Sequence, residues 1–279
     1  MEHNIIIPFD FSTFSFQVFQ SANDLVKRLK ANIHLIHVLS EESSQKQIVS
    51  AEKLLEKIPE KLKMNCNVYM VVMKGEIAEK VLYYAGRLKN PVIFISHTSG
   101  QFHVPNYTGP NAEAIISNSP YPVFLLKKGL EFVKIKTILL SVDIENQNRI
   151  KLNYAVFLSR FFNNALIRLL HIGYDLEDRE LKKLARRLEH FRSFFLKRNV
   201  SCYGEIVKAS ANDGDSRSKI AVEYADQAGA ELLLLATNEE KSPVNCNISD
   251  DALYILSHFR NNIFSITPFV SGAGKLITN

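Results

Sequence analysis

Two tandem doubly wound α/β domains, each a Rossmann-like parallel sheet, are what this sequence predicts, and three observations predict them. Short, continuously apolar runs alternate with stretches of helical periodicity along all 279 residues. Such runs are the mark of parallel strands covered on both faces. The whole series of runs occurs twice. Finally, the length suits two domains of roughly 100–200 residues each.

The repeat is legible in particular residues. Ile5-Ile6-Ile7-Pro8-Phe9-Asp10 is an apolar run ending in an acid, and Ile138-Leu139-Leu140-Ser141-Val142-Asp143 is its counterpart. Ile33-His34-Leu35-Ile36-His37-Val38 likewise matches Leu166-Ile167-Arg168-Leu169-Leu170-His171-Ile172, which aligns His37 with His171. A period of about 135 residues is far longer than the roughly 20–50 of a solenoid. It is the length of a domain, and we place the domains at 1–130 and 131–268, followed by a tail at 269–279.

The elements of the first half follow in order. After the strand that ends at Asp10, Ser12 is a candidate N-cap. Phe14, Val18, Ala22, Leu25 and Leu29 then recur at helical spacing. A strand at 33–39 precedes a helix with Ile48, Ala51, Leu55 and Leu62 inward and a kink expected at Pro59. A strand at 67–73, a helix from Ile77 to Leu88 and the strand Val92-Ile93-Phe94-Ile95 come next. A polar loop spans 97–109, a short helix starts at Pro110, and Val123-Phe124-Leu125-Leu126 closes the half. The second half ends in Leu232-Leu233-Leu234-Leu235, a loop, a helix near 250–259 and Ile263-Phe264-Ser265-Ile266. Ligands of doubly wound sheets lie at the carboxyl ends of the strands, which is where Asp10 and Asp143 stand.

Composition excludes several classes. Hydrophobic residues make up 46% of the chain and charged residues 23%, as in an ordinary globular protein. No apolar run reaches the roughly 18 residues of a membrane helix, so no membrane partner is expected. Met1-Glu2-His3-Asn4 runs directly into a strand and has no signal-peptide pattern, which points to the cytoplasm. Cys66, Cys202 and Cys246 lie far apart with no CxxC pair, so neither a disulfide framework nor a cysteine zinc site is expected. A net charge of +5 is too mild to indicate nucleic acid without a concentrated patch. The densest basic stretch is the helix around 177–198, with Lys182, Lys183, Arg186, Arg187, Arg192, Lys197 and Arg198. It reads as a solvated amphipathic helix or as the face for an acidic partner or nucleic acid. Gly272-Ala273-Gly274-Lys275 lacks the spacing of a P-loop.

Several of these residues together resemble the universal stress protein family in its tandem form. They are Pro8-Phe9-Asp10-Phe11-Ser12 at the first strand-to-helix turn, His37-Val38, Gly75 with Ile77-Ala78, and Pro120-Tyr121-Pro122-Val123. The second half contributes Asp143, His171, Ile220-Ala221 and Gly229-Ala230-Glu231. The resemblance runs to about Thr267. It implies domains like those of the adenine nucleotide alpha hydrolases, paired as an intramolecular pseudo-dimer through strands 122–127 and 262–267. A homodimer and an unidentified protein partner stay open beside it.

Many members of that family bind ATP through a glycine motif, G-x-x-G-x9-G-S/T, after the fourth strand. Glycines let backbone amides approach phosphates, and a helix N-terminus adds a positive dipole. Here its positions fall at Ser96, Ser99, Gly109 and Pro110, so only the third glycine is present. Gly100 stands one place after the expected second glycine. In the second half they fall at Ala236, Glu239, Ser249 and Asp250, and every glycine is gone. With Glu239, Glu240 and Asp250 near the phosphate path, that site is not built for ATP.

The resemblance implies ATP or AMP as cofactor in the first domain only. Pro8, Phe9, Asp10 and Val38 would stand on the nucleoside side, with Ser96, Ser99, Gly109 and Asn111 on the phosphate side. Asp10 and Asp143 are read either as ribose or base ligands or as caps of the turns that follow them. His37 and His171 are ligands or bases, or they satisfy a hydrogen bond in the core. His97, His103 and Asp10 could gather at one strand end, but spacing alone is weak support for a metal. No G-x-S-x-G, H-E-x-x-H or paired-acid signature appears, so no catalytic residues are assigned. Two functions follow: a stress-associated regulatory or interaction protein with degenerate nucleotide sites, or a weak ATP- or AMP-binding protein with slow hydrolysis.

Overall fold

In the computed structural model, residues 3–59, 65–97, 108–127, 135–142, 149–237 and 248–267 are described. The chain divides into two units, Met1–Phe132 and Val133–Asn279. In the first, β1 (His3–Pro8), β2 (Ala31–Leu39), β3 (Val68–Lys74), β4 (Pro91–Ser96) and β5 (Val123–Leu126) alternate with α1 (Thr13–Leu29), α2 (Gln45–Glu56), α3 (Ile77–Ala85) and α4 (Pro110–Asn118). The strands lie in the order β3-β2-β1-β4-β5, all parallel. The order reverses between β1 and β4, where Ile5 faces Ile33 on one side and Val92 on the other. Ile5, Ile6, Ile7, Ile33, Leu35 and Ile93 are wholly buried, as continuous apolar strands between two helical layers must be.

Ser12 caps α1, its hydroxyl accepting from the Ser15 N–H at 3.2 Å. Val18, Ala22, Leu25 and Leu29 form the buried stripe. Lys30 ends the helix in a left-handed turn at φ 47°. Helix α2 stops at Glu56 with Lys57 as its C-cap, ahead of Pro59, and Leu62 lies outside the described residues. A proline disfavours helical backbone in the residue before it, so the helix ends short of it rather than bending through it. Helix α3 ends at Ala85, earlier than Leu88. The chain keeps turning, with Arg87 N–H donating to Tyr84 and Leu88 N–H to Ala85, but at the tighter three-residue spacing.

The second unit repeats the plan with β6 (Thr137–Ser141), α5 (Arg149–Phe161), β7 (Leu166–Tyr174), α6 (Asp178–Leu196), β8 (Cys202–Ala209), α7 (Arg217–Gln227), β9 (Leu232–Ala236), α8 (Asp250–His258) and β10 (Asn262–Ile266). Its order, β8-β7-β6-β9-β10, is that of the first unit. Helix α6 buries Leu184, Leu188, Phe191 and Phe195 and is opened by a capping box of Glu177 and Glu180.

Each unit carries a polar cluster at matching positions away from the strand ends. His34 on β2 stacks on Tyr69, its register partner on β3. It receives the Tyr84 hydroxyl at Nδ1 and donates from Nε2 to Asn4 Oδ1, both at 2.9 Å. Asn4 in turn donates to the Lys89 carbonyl. In the second unit Arg168 lies over Tyr203, its register partner on β8, and meets the Tyr224 hydroxyl, which donates to Glu205 at 2.7 Å.

Candidate functional site

The carboxyl ends of β1, β2 and β4 and the start of α4 enclose a cleft of about 100 Å³ in the first unit. Topology explains its place, since β1 and β4 send their connections to opposite sides of the sheet and leave a crevice at their ends. Pro8, Phe9, Asp10, Val38, Ser96, Gly109 and Asn111 all line it. Ser99, the remaining sequence candidate, lies outside the described residues, as do His103, Asp143, Glu239, Glu240 and the glycines of the tail.

Asp10 is exposed, and its Oδ1 accepts from the Ser12 N–H at 3.0 Å, closing the turn into α1. The capping role is therefore filled whether or not a ligand is bound. His37, ranked below Val38 from sequence, also lines the cleft. Its Nδ1 donates to the Phe9 carbonyl at 2.7 Å, which fixes the tautomer and leaves Nε2 as an acceptor. Phe11 packs on the imidazole at 4.8 Å with φ 62°, a left-handed conformation uncommon for a bulky residue. The second unit repeats the histidine bond: His171 Nδ1 donates to the Val142 carbonyl at 3.1 Å. Beside each, the residue after the first strand donates its N–H to the second strand, Phe9 to Ile36 and Val142 to Leu170.

His97 follows β4 and lines the cleft together with Asp10, the strand-end position the sequence suggested for it. Burial first, and then the nearby Lys127 cation, hold its imidazole below the ordinary histidine range. Burial also lowers Lys127 to about 8. Among the described residues no group of three His, Cys, Asp or Glu side chains could hold a metal ion.

The far side of the cleft is built on the first turn of α4. Gly109 is its N-cap, with no side-chain cap, and Pro110 stands at the first helical position. The Gly109 N–H donates to the His97 carbonyl at 2.8 Å, and proline has none. The backbone donors left in that turn are those of Asn111 and Ala112. The corresponding turn of α8 is closed. Ser249 N–H donates to Thr237, the Ser249 hydroxyl accepts from Ala252 N–H at 3.2 Å, and Asp250 and Asp251 occupy the first turn. Those carboxylates already satisfy the positive end of the helix dipole.

No protein-family model matches the chain, and no curated protein matches its sequence. Solved structures do match its fold over nearly its whole length. A universal stress protein from Archaeoglobus fulgidus matches with a TM-score of 0.73 and 14% identity, over 95% of this chain and 98% of that one. A protein of unknown function from Pseudomonas aeruginosa matches with a TM-score of 0.70 and 14% identity, over 99% and 94%. The cytoplasmic domain of a prokaryotic cation chloride cotransporter matches at 0.56 and 11%, over 99% and 100%. The shared feature is the fold: two Rossmann-like units in tandem, as in the universal stress protein structure.

Proposed function

We propose that this chain is a stress-associated regulatory or interaction protein of the universal stress kind, acting in the cytoplasm on a protein partner, with degenerate nucleotide sites. The observation that carries this reading is the first turn of α4. It has one N–H spent on His97, one lost to Pro110 and two left for a phosphate. Among the described residues that is few donors for a triphosphate, and the enclosed volume of about 100 Å³ is below the roughly 300–1,000 Å³ of small-molecule sites. In the second unit Ser249 and two aspartates occupy the corresponding helix start. The occurrence of the same tandem fold in a transporter's cytoplasmic domain is in keeping with work done by contact rather than by chemistry.

A second reading is favoured by the uncapped α4 N-terminus, which leaves Asn111 and Ala112 facing the cleft. On it, the first unit binds ATP or AMP weakly, mostly through the nucleoside. Isothermal titration with ATP, AMP and adenosine separates the two. No binding to any of them supports the interaction reading, and adenosine binding about as well as ATP supports the second. ATP binding more than about tenfold tighter than adenosine overturns both, because the phosphates would then be firmly held.

A further inference from the structure

Helices α5 and α6 follow successive parallel strands of the second unit, β6 to β7 to β8, so right-handed crossovers put both on one face of its sheet. Between them lies a groove of about 470 Å³, open along one side. Leu152 of α5 and Phe191 of α6 are buried at its base, at 5% and 8% exposure. Phe194, half-buried, forms a wall. Arg149, His190 and Arg198, all exposed, form the rim with Asn153. Among the described residues no carboxylate lines it.

The rim is organised in advance. The Arg198 guanidinium stacks on the Phe194 ring at 3.7 Å, and its Nη1 donates to the Phe194 carbonyl at 3.0 Å. The Arg198 carbonyl accepts from Arg160 Nη2 at 2.9 Å, which ties the end of α6 to α5. The nearby acid Glu189 is engaged by Arg192. Among the described residues, neither Arg149 nor Arg198 forms an ion pair. A fixed guanidinium presenting its outer edge is suited to bidentate capture of a carboxylate, sulfonate or phosphate. The aromatic base gains by covering apolar surface, and the volume is that of a small-molecule site.

We infer that the α5–α6 groove of the second unit binds a small amphiphilic organic anion, its ring or short chain on Leu152, Phe191 and Phe194 and its acidic group on the stacked Arg198 guanidinium, with Arg149 adding positive charge to the rim. Charge and volume select this occupant together: an uncharged apolar molecule leaves the rim unanswered, and an inorganic anion leaves the base wet. This site is independent of the nucleotide question in the first unit.

The test is fluorescence titration of the full chain with anilinonaphthalene sulfonate and with its uncharged parent, N-phenylnaphthylamine. The expected result is one sulfonate per chain, with affinity lowered at least about tenfold in Arg149→Gln/Arg198→Gln while the uncharged probe changes less than about twofold. The melting temperature should fall by no more than about 2–4 °C, since the contacts of Arg198 with Phe194 lie on the exposed rim. Asn153→Trp fills the groove from its rim and should abolish binding of both probes. Sulfonate binding unaffected by the double substitution, equal losses for both probes in it, or a full equivalent bound to Asn153→Trp would each overturn the inference.

Discussion

The Tyr84 hydroxyl lies 2.9 Å from Nδ1 of His34 and pins helix α3 to the second strand of the first unit. His34 is buried, and its other nitrogen is committed to Asn4, so a smaller side chain would strand two polar groups. His34→Ala is expected to lower stability by about 2–3 kcal/mol, the cost of leaving such groups unsatisfied, with His34→Gln milder. Urea denaturation of the three proteins measures this.

The same histidine gives a pH signature. Burial lowers its pKa to about 4 from an ordinary value near 6.5. Between those values the unfolded chain holds the proton and the folded chain does not, so unfolding gains as pH falls. The contribution is complete above about pH 6.5 and declines toward pH 4. His3, also lowered by burial, adds a slope of the same sign. The pH dependence of the urea midpoint should therefore be shallower in His34→Gln than in the native protein; identical slopes would refute this.

Asp10 separates a cap from a ligand. Asp10→Asn keeps an oxygen for the Ser12 N–H and should leave stability nearly unchanged, whereas Asp10→Ala should cost about 0.5–1.5 kcal/mol. If the first unit holds a nucleoside through this carboxylate, Asn and Ala should both weaken adenosine binding. Thermal melts and calorimetry on the same two variants give both readouts.

The two helix starts make opposite predictions. Ser249→Ala removes a side-chain cap and should destabilise by about 1 kcal/mol. Gly109→Ser should stabilise by a few tenths of a kcal/mol. Position 109 has an ordinary φ of −59°, and among the described residues an added Cβ would meet only the His97 carbonyl, at 3.6 Å. A destabilised Gly109→Ser would mean that glycine is required there for the fold itself.

Cys202 is buried, and its thiol is pushed up to about 12 by that burial. The thiolate is the reactive form. At pH 8 iodoacetamide should therefore leave Cys202 unmodified in the folded protein and alkylate it on addition of denaturant, as peptide mass mapping would show. Modification of Cys202 in the native state would contradict the packing around β8.

Local signals carried most of the fold into the sequence. Ser12 as N-cap, Pro110 at a helix start and the repeated apolar strands each act within a few residues, and each stands where its chemistry puts it. Pro59 was ambiguous because a proline can either kink a helix or follow its end, and packing of Ile58, 2% exposed, accompanies the second outcome. Seven of the cleft residues were named because the resemblance implied them, and the residues alone would not have singled out the set. His37 and His97 stood apart from that set, although the sequence already placed His97 near Asp10 at a strand end. The groove of the second unit was hidden in the sequence. Residues 149–153 and 190–198 meet only after β7 has been laid beside β6, and along the chain Arg198 looks like one more exposed cation.

The serine that closes α8 also shapes how the chain would respond to a changing solute. A duplicated receptor with two equal mouths could couple them and give a threshold. Here one helix start is open and its twin is plugged from within by Ser249, with Asp250 and Asp251 beside it. If the start of α4 takes an anion, Ser249 leaves it no equal counterpart at the start of α8, and its occupancy should rise as a simple hyperbola. Duplication would then give a graded response in place of a threshold.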